Sequence, residues 1–356
     1  MQFKGEKLTV TVFGQSHGPA VGMVMTGLPA GLRVDRERLA AFLARRAPGS
    51  SPLATARREA DAPEFLSGLQ ENAACGGPLC AVIPNRDARS GDYERLRDVP
   101  RPSHADYPAR VKYGPDWDGR GGGQFSARLT APLCVAGGIA LQWLAGRGVT
   151  VGAHLAAVGG VKDVPFDPVN VTAEELLFAA RQEFPALDAG QAERMRREIE
   201  EARDDQDSVG GVVECGAVGL PVGVGGALLD GLESALSAAL FAIPAVKGVE
   251  FGDGFAAAAL RGSAHNDPYA LREGRVVTLT NHGGGLAGGM TTGMPLILRA
   301  AFKPTPSIGL PQRSVRLSTM EETELVIPGR HDPCVALRAV PVVEAMTALV
   351  LMDKLL

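Results

Sequence analysis

The hydrophobic and polar positions of the chain repeat with two different periods, which predict strands in some segments and helices in others. Residues 7–12 and 21–26 are apolar and rich in β-branched side chains, and the polar run between them predicts a hairpin-like connection. Residues 35–46 have apolar positions at helical spacing, with Asp35 as the N-cap and two arginines at the end. The first segment therefore predicts a hairpin followed by a helix.

More apolar helices are predicted in the middle and at the end of the chain. The segment 127–145 predicts a helix capped by Ser126 or Thr130, and residues 228–242 predict a helix with one apolar face. The stretch from Pro341 to Leu356 is apolar on nearly every face, which predicts either a buried helix or a subunit contact.

A polar helix and several strands complete the prediction. Segment 190–203 carries Glu and Arg at i,i+4 spacing, which predicts an exposed helix with no catalytic role. Strands are predicted at 209–213, 276–280 and 295–301. Because no internal repeat or linker is evident, the pattern predicts a single α+β domain over residues 1–356.

Two long stretches, 47–62 and 85–120, lack periodicity and are rich in Pro, Gly, Arg and Asp. Long irregular loops inside a compact protein are usually functional. The triple glycine 121–123 that follows leads into a predicted helix, whose N-terminus could attract an anion. By itself, however, a Gly-rich turn before a helix is more often only a turn.

The composition allows a large core and limits the classes of function. The chain has 356 residues, 45% of them hydrophobic, which suits one large domain or two small ones. It has no run of eighteen apolar residues and no signal-peptide pattern, so we expect a cytoplasmic protein that does not span a membrane. Five scattered cysteines predict buried thiols in a reducing compartment, and no metal-ligand spacing is present.

The charge is unevenly distributed between residue types. A net charge of −4 argues against general binding of nucleic acid, yet there are 29 Arg against 7 Lys. Fifteen of the Arg lie between Arg33 and Arg128, against 13 Asp plus Glu in the same stretch. Arg binds carboxylate and phosphate through paired hydrogen bonds, although a coding bias would give the same composition. Only the Arg inside Gly, Pro and His strings are therefore candidates for chemistry.

One segment, Gly329-Arg330-His331-Asp332-Pro333-Cys334, places a cation, an imidazole and a carboxylate side by side before a proline. The proline holds Asp332 extended, so Arg330 and Asp332 should point to the same side. For this hexapeptide alone, a surface ion pair is an equally good interpretation. Similar strings of Gly, Pro, His and Arg occur at 13–18, 45–49, 57–59, 101–107, 120–123, 126–128 and 302–307.

Together these strings resemble the chorismate synthase family in order and approximate spacing over essentially the whole chain, as do those at 27–32, 207–211 and 243–248. The resemblance implies a β-α-β sandwich, with antiparallel sheets around a helical core, and a homotetramer. It implies a phosphate lyase of the shikimate pathway, in aromatic amino acid biosynthesis. That reaction converts 5-enolpyruvylshikimate 3-phosphate to chorismate and phosphate by anti-1,4-elimination, and requires reduced FMN (FMNH2) although it is redox neutral.

The resemblance also implies roles for individual residues. His104 would protonate the leaving phosphate, His17 would maintain the protonation state of the reduced flavin, and Asp332 would assist proton removal through flavin N5. The anionic substrate would be bound by Ser16, Arg46, Arg57, Arg128 and Arg330. The flavin would be bound by Gln124, Phe125, Ser126, Ala245, Gly288, Lys303, Pro304, Thr305, Pro306, Ser307 and Arg330.

A histidine taken singly is more often a hydrogen-bonded structural residue than a catalytic one. We assign His154, His265, His282 and His331 to that structural class.

The chain departs from the family pattern at several positions. Gln15 stands where the family has Glu, and Pro52 stands where an arginine is expected four residues after Pro48. The family's Arg-Ser-Ser-Ala-Arg-Glu run reads Gln-Phe-Ser-Ala-Arg-Leu over residues 124–129. An active enzyme is still favoured, because the expected catalytic and cationic residues remain: His17, His104, Arg128, Arg330 and Asp332.

Two other functions stay open from the sequence. A non-catalytic FMN-binding paralogue would keep the flavin pocket without turnover, and an FMN reductase would oxidise NAD(P)H. No additional reductase domain is visible in the chain. We therefore expect NAD(P)H to act only indirectly, through an external flavin reductase as partner.

Overall fold

The computed structural model of the chain describes residues 1–49, 53–54, 59–87, 95–327 and 332–356. These residues form two five-stranded antiparallel sheets and a set of helices that pack between them. This arrangement confirms the expected α+β sandwich, with antiparallel sheets around a helical core.

The first sheet contains the predicted N-terminal hairpin. The strands of this part of the chain are β1 (Gln2–Lys4), β2 (Thr9–Gly14), β3 (Ala20–Thr26), β4 (Glu64–Ser67), β5 (Leu69–Gln70), β6 (Ala73–Ala74) and β7 (Leu79–Pro84). The sheet order is β1-β2-β3-β7-β4, while β5 and β6 form a separate small pair. β2 and β3 pair from Thr9 opposite Thr26 to Gly14 opposite Val21, so the connecting turn carries residues 15–19.

The second sheet has the order β11-β16-β10-β8-β9. The remaining strands are β8 (Thr150–Val158), β9 (Val161–Lys162), β10 (Gly211–Val218), β11 (Val246–Phe251), β12 (Tyr269–Arg272), β13 (Arg275–Thr278), β14 (Leu286–Ala287), β15 (Met290–Thr291), β16 (Leu296–Phe302), β17 (Gln312–Arg316) and β18 (Glu321–Leu325). The pairs β12-β13, β14-β15 and β17-β18 are two-stranded. The predicted strands correspond to β10, β13 and β16, while β7, β8 and β11 were not predicted.

The helices of the described residues are mostly those that the sequence predicts. They are α1 (Arg36–Arg46), α2 (Asp106–Tyr113), α3 (Thr130–Ala145), α4 (Ala173–Leu176), α5 (Ala189–Asp204), α6 (Leu232–Phe241), α7 (Gly262–His265) and α8 (Val335–Leu355). Asp35 caps α1 by accepting hydrogen bonds from the backbone amides of Glu37 and Arg38, as predicted. A short 3-10 turn capped by Ser126 precedes α3.

The helices α3 and α8 pack against each other at the centre of the molecule. A Cβ atom on Gly137 would lie 2.3 Å from the Cβ of Ala345, so this glycine allows the close approach of the two helices. The segment Ala127–Ala145, which is α3 with the turn before it, and α8 are each long and apolar enough to cross a membrane by length and composition alone. However, 78% and 89% of their apolar windows are buried in the fold, as in core helices.

The helix α8 corrects one predicted boundary. It begins at Val335 and contains Pro341, where we expected a helix to begin. Nearly every residue of α8 is buried, which confirms a buried helix. Because its neighbours are α3, α6 and the second sheet of the same chain, the helix is covered without a subunit contact.

The helix α5 is exposed as predicted, but its ion pairs differ from the expected ones. Arg196 lies within 3.6 Å of both Glu193 and Glu183, whereas an i,i+4 pair was predicted. Its guanidinium lies 4.9 Å from the centre of the Phe184 ring, which draws the side chain towards residues 183–184.

Candidate active site

A cavity of about 980 Å³ lies beside the first sheet and the ends of α1, α6 and α8. This volume is at the upper end of the usual range for small-molecule sites, roughly 300–1,000 Å³, and leaves room for more than one ligand. Most of the predicted site residues line this cavity: Ser16, His17, Arg46, His104, Gln124, Phe125, Ser126, Arg128, Ala245, Lys303, Thr305, Pro306, Ser307 and Asp332.

A few predicted residues lie elsewhere. Gly288 is in the turn between β14 and β15, and Pro304 follows β16, but neither is among the residues that line the cavity. Arg57 and Arg330 lie outside the described residues.

The triple glycine 121–123 lies against both predicted catalytic histidines. All three glycines have positive φ angles, of 60°, 88° and 54°. A Cβ on Gly121 would lie 2.5 Å from Cδ2 of His17, and a Cβ on Gly122 would lie 3.2 Å from Nε2 of His104. The glycines are therefore more than a turn, because their bare backbone lets two imidazoles approach the same segment.

His104 is held by two charged neighbours of its own loop. Its Nδ1 lies 2.6 Å from Oδ1 of Asp106 and 3.1 Å from Nη2 of Arg101. Burial lowers the pKa of His104 below its ordinary value, the hydrogen bond to Asp106 opposes that change, and the cations of Arg101 and Lys303 add to the lowering. In the ligand-free protein this imidazole is therefore biased towards its neutral form.

Arg46 and Arg128 share one buried carboxylate. Both guanidinium groups form ion pairs with Asp61, whose side chain is fully buried. Burial alone would raise the pKa of Asp61, but the two cations outweigh it and hold that pKa below its ordinary value. Arg46 also donates to Oγ1 of Thr130 at 3.1 Å, and Arg128 donates to Oδ1 of Asn85 at 3.0 Å.

One donor of Arg128 remains available. Its Nη2 is buried and has no hydrogen-bond partner among the described residues, and the Oε2 of Glu59 is 4.0 Å away. A buried donor that lacks a partner is costly, so an oxygen atom of a ligand would be stabilised there. Since Arg128 lines the cavity, this atom favours an anionic ligand.

The loop that follows β16 joins the His104 segment to the Asp332 segment. Lys303 donates from Nζ to the carbonyl of Ser103 at 2.6 Å, and Arg101 donates to Oγ of Ser307 at 3.2 Å. Thr305 donates from Oγ1 to the carbonyl of Asp332 at 2.8 Å. The three predicted groups of residues therefore form one continuous wall.

A second cation lies near Lys303. Lys247 also lines the cavity, and burial together with the charge of Lys247 lowers the pKa of Lys303 below its ordinary value. Two neighbouring ammonium groups beside the hydroxyls of Thr305 and Ser307 are suited to a phosphate group.

Asp332 is fixed by an arginine of α8. Nη1 of Arg338 lies 2.8 Å from Oδ2 of Asp332, and Nε of Arg338 donates to the carbonyl of Arg46 at 3.1 Å. Arg338 thus connects the predicted catalytic carboxylate to the end of α1.

Sequence reasoning gave no role to several of these residues: Asp61, Arg101, Asp106, Lys247 and Arg338. Four of them lie in or beside the strings of Gly, Pro, His and Arg. Their charged side chains, so close to the predicted site residues, could have indicated that they belong to the site. Arg338 had a different signal, since a charge inside an otherwise apolar helix must find a partner when it is buried.

The two neighbouring arginines predicted at the end of α1 have different partners in the structure. Arg45 forms two hydrogen bonds, of 2.6 and 2.7 Å, with Glu344 of α8, while Arg46 faces the cavity. Successive helical residues point about 100° apart, so two adjacent side chains reach different partners.

Two departures from the family pattern have different positions. Gln15 is in the turn after β2 and does not line the cavity, and its carbonyl accepts a hydrogen bond of 3.0 Å from Asn85. Leu129 is buried and lines the cavity beside Arg128. The loss of the Glu at position 15 therefore does not remove a carboxylate from the cavity wall.

Comparisons with known proteins agree over the whole chain. The family model described as chorismate synthase matches residues 8–356. The chorismate synthase of Lancefieldella parvula is 47% identical over 99% of this chain and 95% of its own length. That of Thermococcus kodakarensis is 49% identical over 99% of this chain and 97% of its own length. A solved crystal structure of chorismate synthase has a TM-score of 0.77 and 26% identity, and covers 99% of this chain and 92% of that chain.

Proposed function

The chain belongs to the chorismate synthase family, and we propose that it converts 5-enolpyruvylshikimate 3-phosphate to chorismate and phosphate by anti-1,4-elimination. It is thus a carbon–oxygen lyase of the shikimate pathway. The observation that carries the proposal is that one cavity gathers two histidines and a carboxylate with several cations. That set of groups suits both proton transfer and the binding of a substrate with two carboxylates and a phosphate.

The anionic substrate would be bound by the arginine pair. Arg46 and Arg128 are buried, form ion pairs with Asp61 and line the cavity. Nη2 of Arg128 has no hydrogen-bond partner among the described residues, so it could donate to a ligand. Fixed guanidinium groups bind carboxylate or phosphate without a large cost of ordering side chains. Ser16 lines the same cavity, and we keep Arg57 and Arg330 as proposed substrate contacts.

His104 would protonate the departing phosphate. A phosphate leaves more easily when a proton neutralises part of its charge, and imidazole exchanges protons near neutral pH. Burial lowers the pKa of His104 in the ligand-free protein, and a bound anion beside the ring would raise it again. His104 would therefore become protonated when the anionic substrate binds.

Asp332 and His17 would serve the other side of the reaction. Asp332 is fixed by Arg338 in the cavity wall, where a carboxylate can assist removal of the ring proton. His17 lies against Gly121, and we propose that it maintains the protonation state of the reduced cofactor.

The cavity also fits reduced FMN beside the substrate. Its volume accommodates two ligands, and Lys303 and Lys247 with the hydroxyls of Thr305 and Ser307 would hold the flavin phosphate. Phosphate is a poor leaving group from an unactivated carbon. When bound, reduced FMN would supply electron density that weakens the allylic carbon–oxygen bond. We propose that NAD(P)H acts only through an external flavin reductase.

The decisive experiment is an anaerobic assay of phosphate release and chorismate formation with the purified chain. We expect both products with reduced FMN and neither with oxidised FMN. Flavin binding without turnover would favour the non-catalytic paralogue, and NAD(P)H oxidation by the chain alone would favour the FMN reductase.

We further propose that residues 1–356 act as one domain in a cytoplasmic homotetramer. The support is a set of large apolar side chains on the surface of the single chain, including Leu228, Leu229, Phe255 and Leu271, which are 91%, 92%, 85% and 79% exposed. Sedimentation at micromolar concentration tests the assembly, and a strictly monomeric species would contradict it.

A further inference from the structure

We propose that Asp106 is a positioning residue for His104, which fixes the tautomer of the ring and directs Nε2 towards the cavity. This inference rests on the proposed role of His104 as the acid. Asp106 itself does not line the cavity, so it would act through the imidazole and not on the substrate.

The contacts of Nδ1 define the tautomer. A carboxylate oxygen can only accept a hydrogen bond and a guanidinium can only donate one, so Asp106 and Arg101 compete for the same ring nitrogen. The distance from Nδ1 to Asp106 is 2.6 Å, and the distance from Nδ1 to Arg101 is 3.1 Å. The shorter contact places the proton on Nδ1, which donates to Asp106.

Asp106 is itself rigidly held. Arg101 binds both of its oxygens, with Nε at 2.7 Å from Oδ2 and Nη2 at 2.8 Å from Oδ1. The backbone amide of Arg101 also donates to Oδ2, at 3.1 Å. Asp106 is the first residue of α2, where the helix dipole favours a negative charge.

These contacts keep Asp106 ionised. Burial alone would raise its pKa, but the hydrogen bonds from Arg101 and His104 outweigh burial and hold the pKa well below its ordinary value. The ring of His104 therefore always faces an anion on its Nδ1 side.

The opposite nitrogen of the ring, Nε2, makes no hydrogen bond to the described residues. His104 lines the cavity, and its Nε2 lies where a Cβ on Gly122 would approach to 3.2 Å. When the neutral ring carries its proton on Nδ1, Nε2 has no proton. Only the imidazolium form can then donate a proton from Nε2. Asp106 would stabilise that imidazolium in the way that a buried carboxylate orients a catalytic histidine.

Among the described residues, three charged groups act on the pKa of His104, and they predict the sign of a pH effect. Asp106 and Arg101 lie on its own segment, and Lys303 approaches from the loop after β16. Burial and the two cations lower the pKa of His104, and Asp106 opposes them. An acid must keep its proton, so activity falls as the pH rises through its pKa in the substrate complex. Loss of the Asp106 charge should therefore move this alkaline limb of kcat to lower pH.

The test is Asp106→Asn in the full chain, assayed anaerobically at saturating substrate and reduced FMN across pH. We expect kcat to fall about 100-fold, the scale of lost general acid catalysis, with KM changed less than about threefold. We also expect the alkaline limb to shift to lower pH. Nitrogen-15 NMR of the neutral His104 ring should show its proton on Nδ1 in the wild type and on Nε2 in the variant, because an amide can donate to Nδ1.

The matched control is Asp253→Asn. Asp253 makes the same kind of contact with His282, from Oδ2 to Nδ1 at 2.8 Å, in a pair that does not line the cavity. This substitution should leave kcat, the pH limb and the His104 signals unchanged.

The outcomes separate this inference from the proposed function. A wild type that makes chorismate, with a variant of unchanged kcat and pH limb, overturns the inference and leaves the function intact. A wild type without turnover overturns the function, while NMR of the ligand-free protein still tests the contact. If the variant does not fold, the wild-type ring decides: a neutral His104 without a proton on Nδ1 overturns the inference.

Discussion

Two histidine–aspartate pairs of this protein have similar contacts and opposite properties. His104 meets Asp106 at the wall of the cavity, while His154 of β8 is fully buried with its Nδ1 at 3.0 Å from Asp163. The pKa of His104 is lowered by burial, with Asp106 in opposition. Burial also acts to lower the pKa of His154, but the hydrogen bonds to Asp163 and Glu214 outweigh it and raise that pKa.

The difference lies in the second ring nitrogen. Nε2 of His154 lies 3.0 Å from Glu214, so both nitrogens face carboxylates, and this arrangement stabilises the charged form of the ring. Nε2 of His104, a residue that lines the cavity, makes no hydrogen bond to the described residues, and the carboxylate at its Nδ1 is shared with Arg101. An imidazole bound to carboxylates on both sides is a poor proton donor, whereas one with a nitrogen facing a cavity can serve a ligand.

The His154 site is one part of a row of charges across the second sheet. His154, Glu214, Arg299 and Glu250 occupy directly opposed positions on β8, β10, β16 and β11. Arg299 lies 3.3 Å from Glu214 and 2.6 Å from Glu250. Since opposite charges meet at each step, the row favours this register over a slipped one.

The largest expected contrast comes from replacing each histidine with alanine. His104→Ala should reduce kcat about 100-fold or more while substrate still binds, because an acid acts on the transition state. His154→Ala should instead lower the free energy of unfolding by about 3–5 kcal/mol, because it removes the imidazole that pairs with the buried Asp163 and leaves Glu214 with Arg299 as its cationic partner. Anaerobic kinetics and denaturant unfolding measure the two effects, and wild-type kcat in His104→Ala would refute the assignment of the acid.

The position of the His17 ring can be changed directly by a substitution at Gly121. Gly121→Ala places a methyl group 2.5 Å from His17, so we expect a displaced ring and a loss of kcat of about 100-fold, the scale for a misplaced group. Gly31→Ala is the matched control, since Gly31 also has a positive φ, of 84°, but nothing lies within 4 Å of its added Cβ. Equal losses of activity in both variants would attribute the effect to backbone strain alone.

Within the cavity, the cofactor wall and the arginine pair should fail differently. Lys303→Ala should weaken FMN binding by about 1.5–3 kcal/mol, the usual range for a hydrogen bond to a charged group. Arg128→Ala should leave FMN affinity nearly unchanged and lower kcat/KM for the substrate. Arg128→Lys is its companion variant, because it keeps a charge for Asp61 while losing the fork.

Flavin titration followed by kinetics at saturating reduced FMN separates these two effects. If Arg128→Ala loses flavin binding while Lys303→Ala retains it, our assignment of the two parts of the cavity is wrong.

The smallest expected effect is on the pH dependence of stability. The raised pKa of His154 gives a contribution that is complete below the ordinary pKa and is lost as pH rises through the folded-state value. The lowered pKa of His104 gives the opposite slope, with stability lost as pH falls. Each slope is at most about 1.4 kcal/mol per pH unit, the limit for one proton.

Unfolding across pH of the wild type and His154→Gln tests the first slope. The decline above the ordinary histidine pKa should be present in the wild type and reduced in the variant, and an identical decline in both would refute it.

The sequence alone determined features that depend on neighbouring residues. The hairpin of β2 and β3 followed from β-branched runs around a polar turn, and α1 followed from helical spacing with Asp35 as its cap. The ordered strings of Gly, Pro, His and Arg indicated the family, and most of the site residues predicted from them line the cavity. These signals act over a few residues, so they survive without knowledge of the fold.

Only the tertiary structure decided which partners complete the site. Asp61 joins Arg46 to Arg128, and Asp332 meets Arg338, which also binds the end of α1. The apolar segment at the C-terminus predicted either a buried helix or a subunit contact, and α8 is buried by α3 and the second sheet of its own chain. The physical reason is that these contacts join residues far apart in sequence, and their geometry exists only after the core has brought both sheets and their helices together.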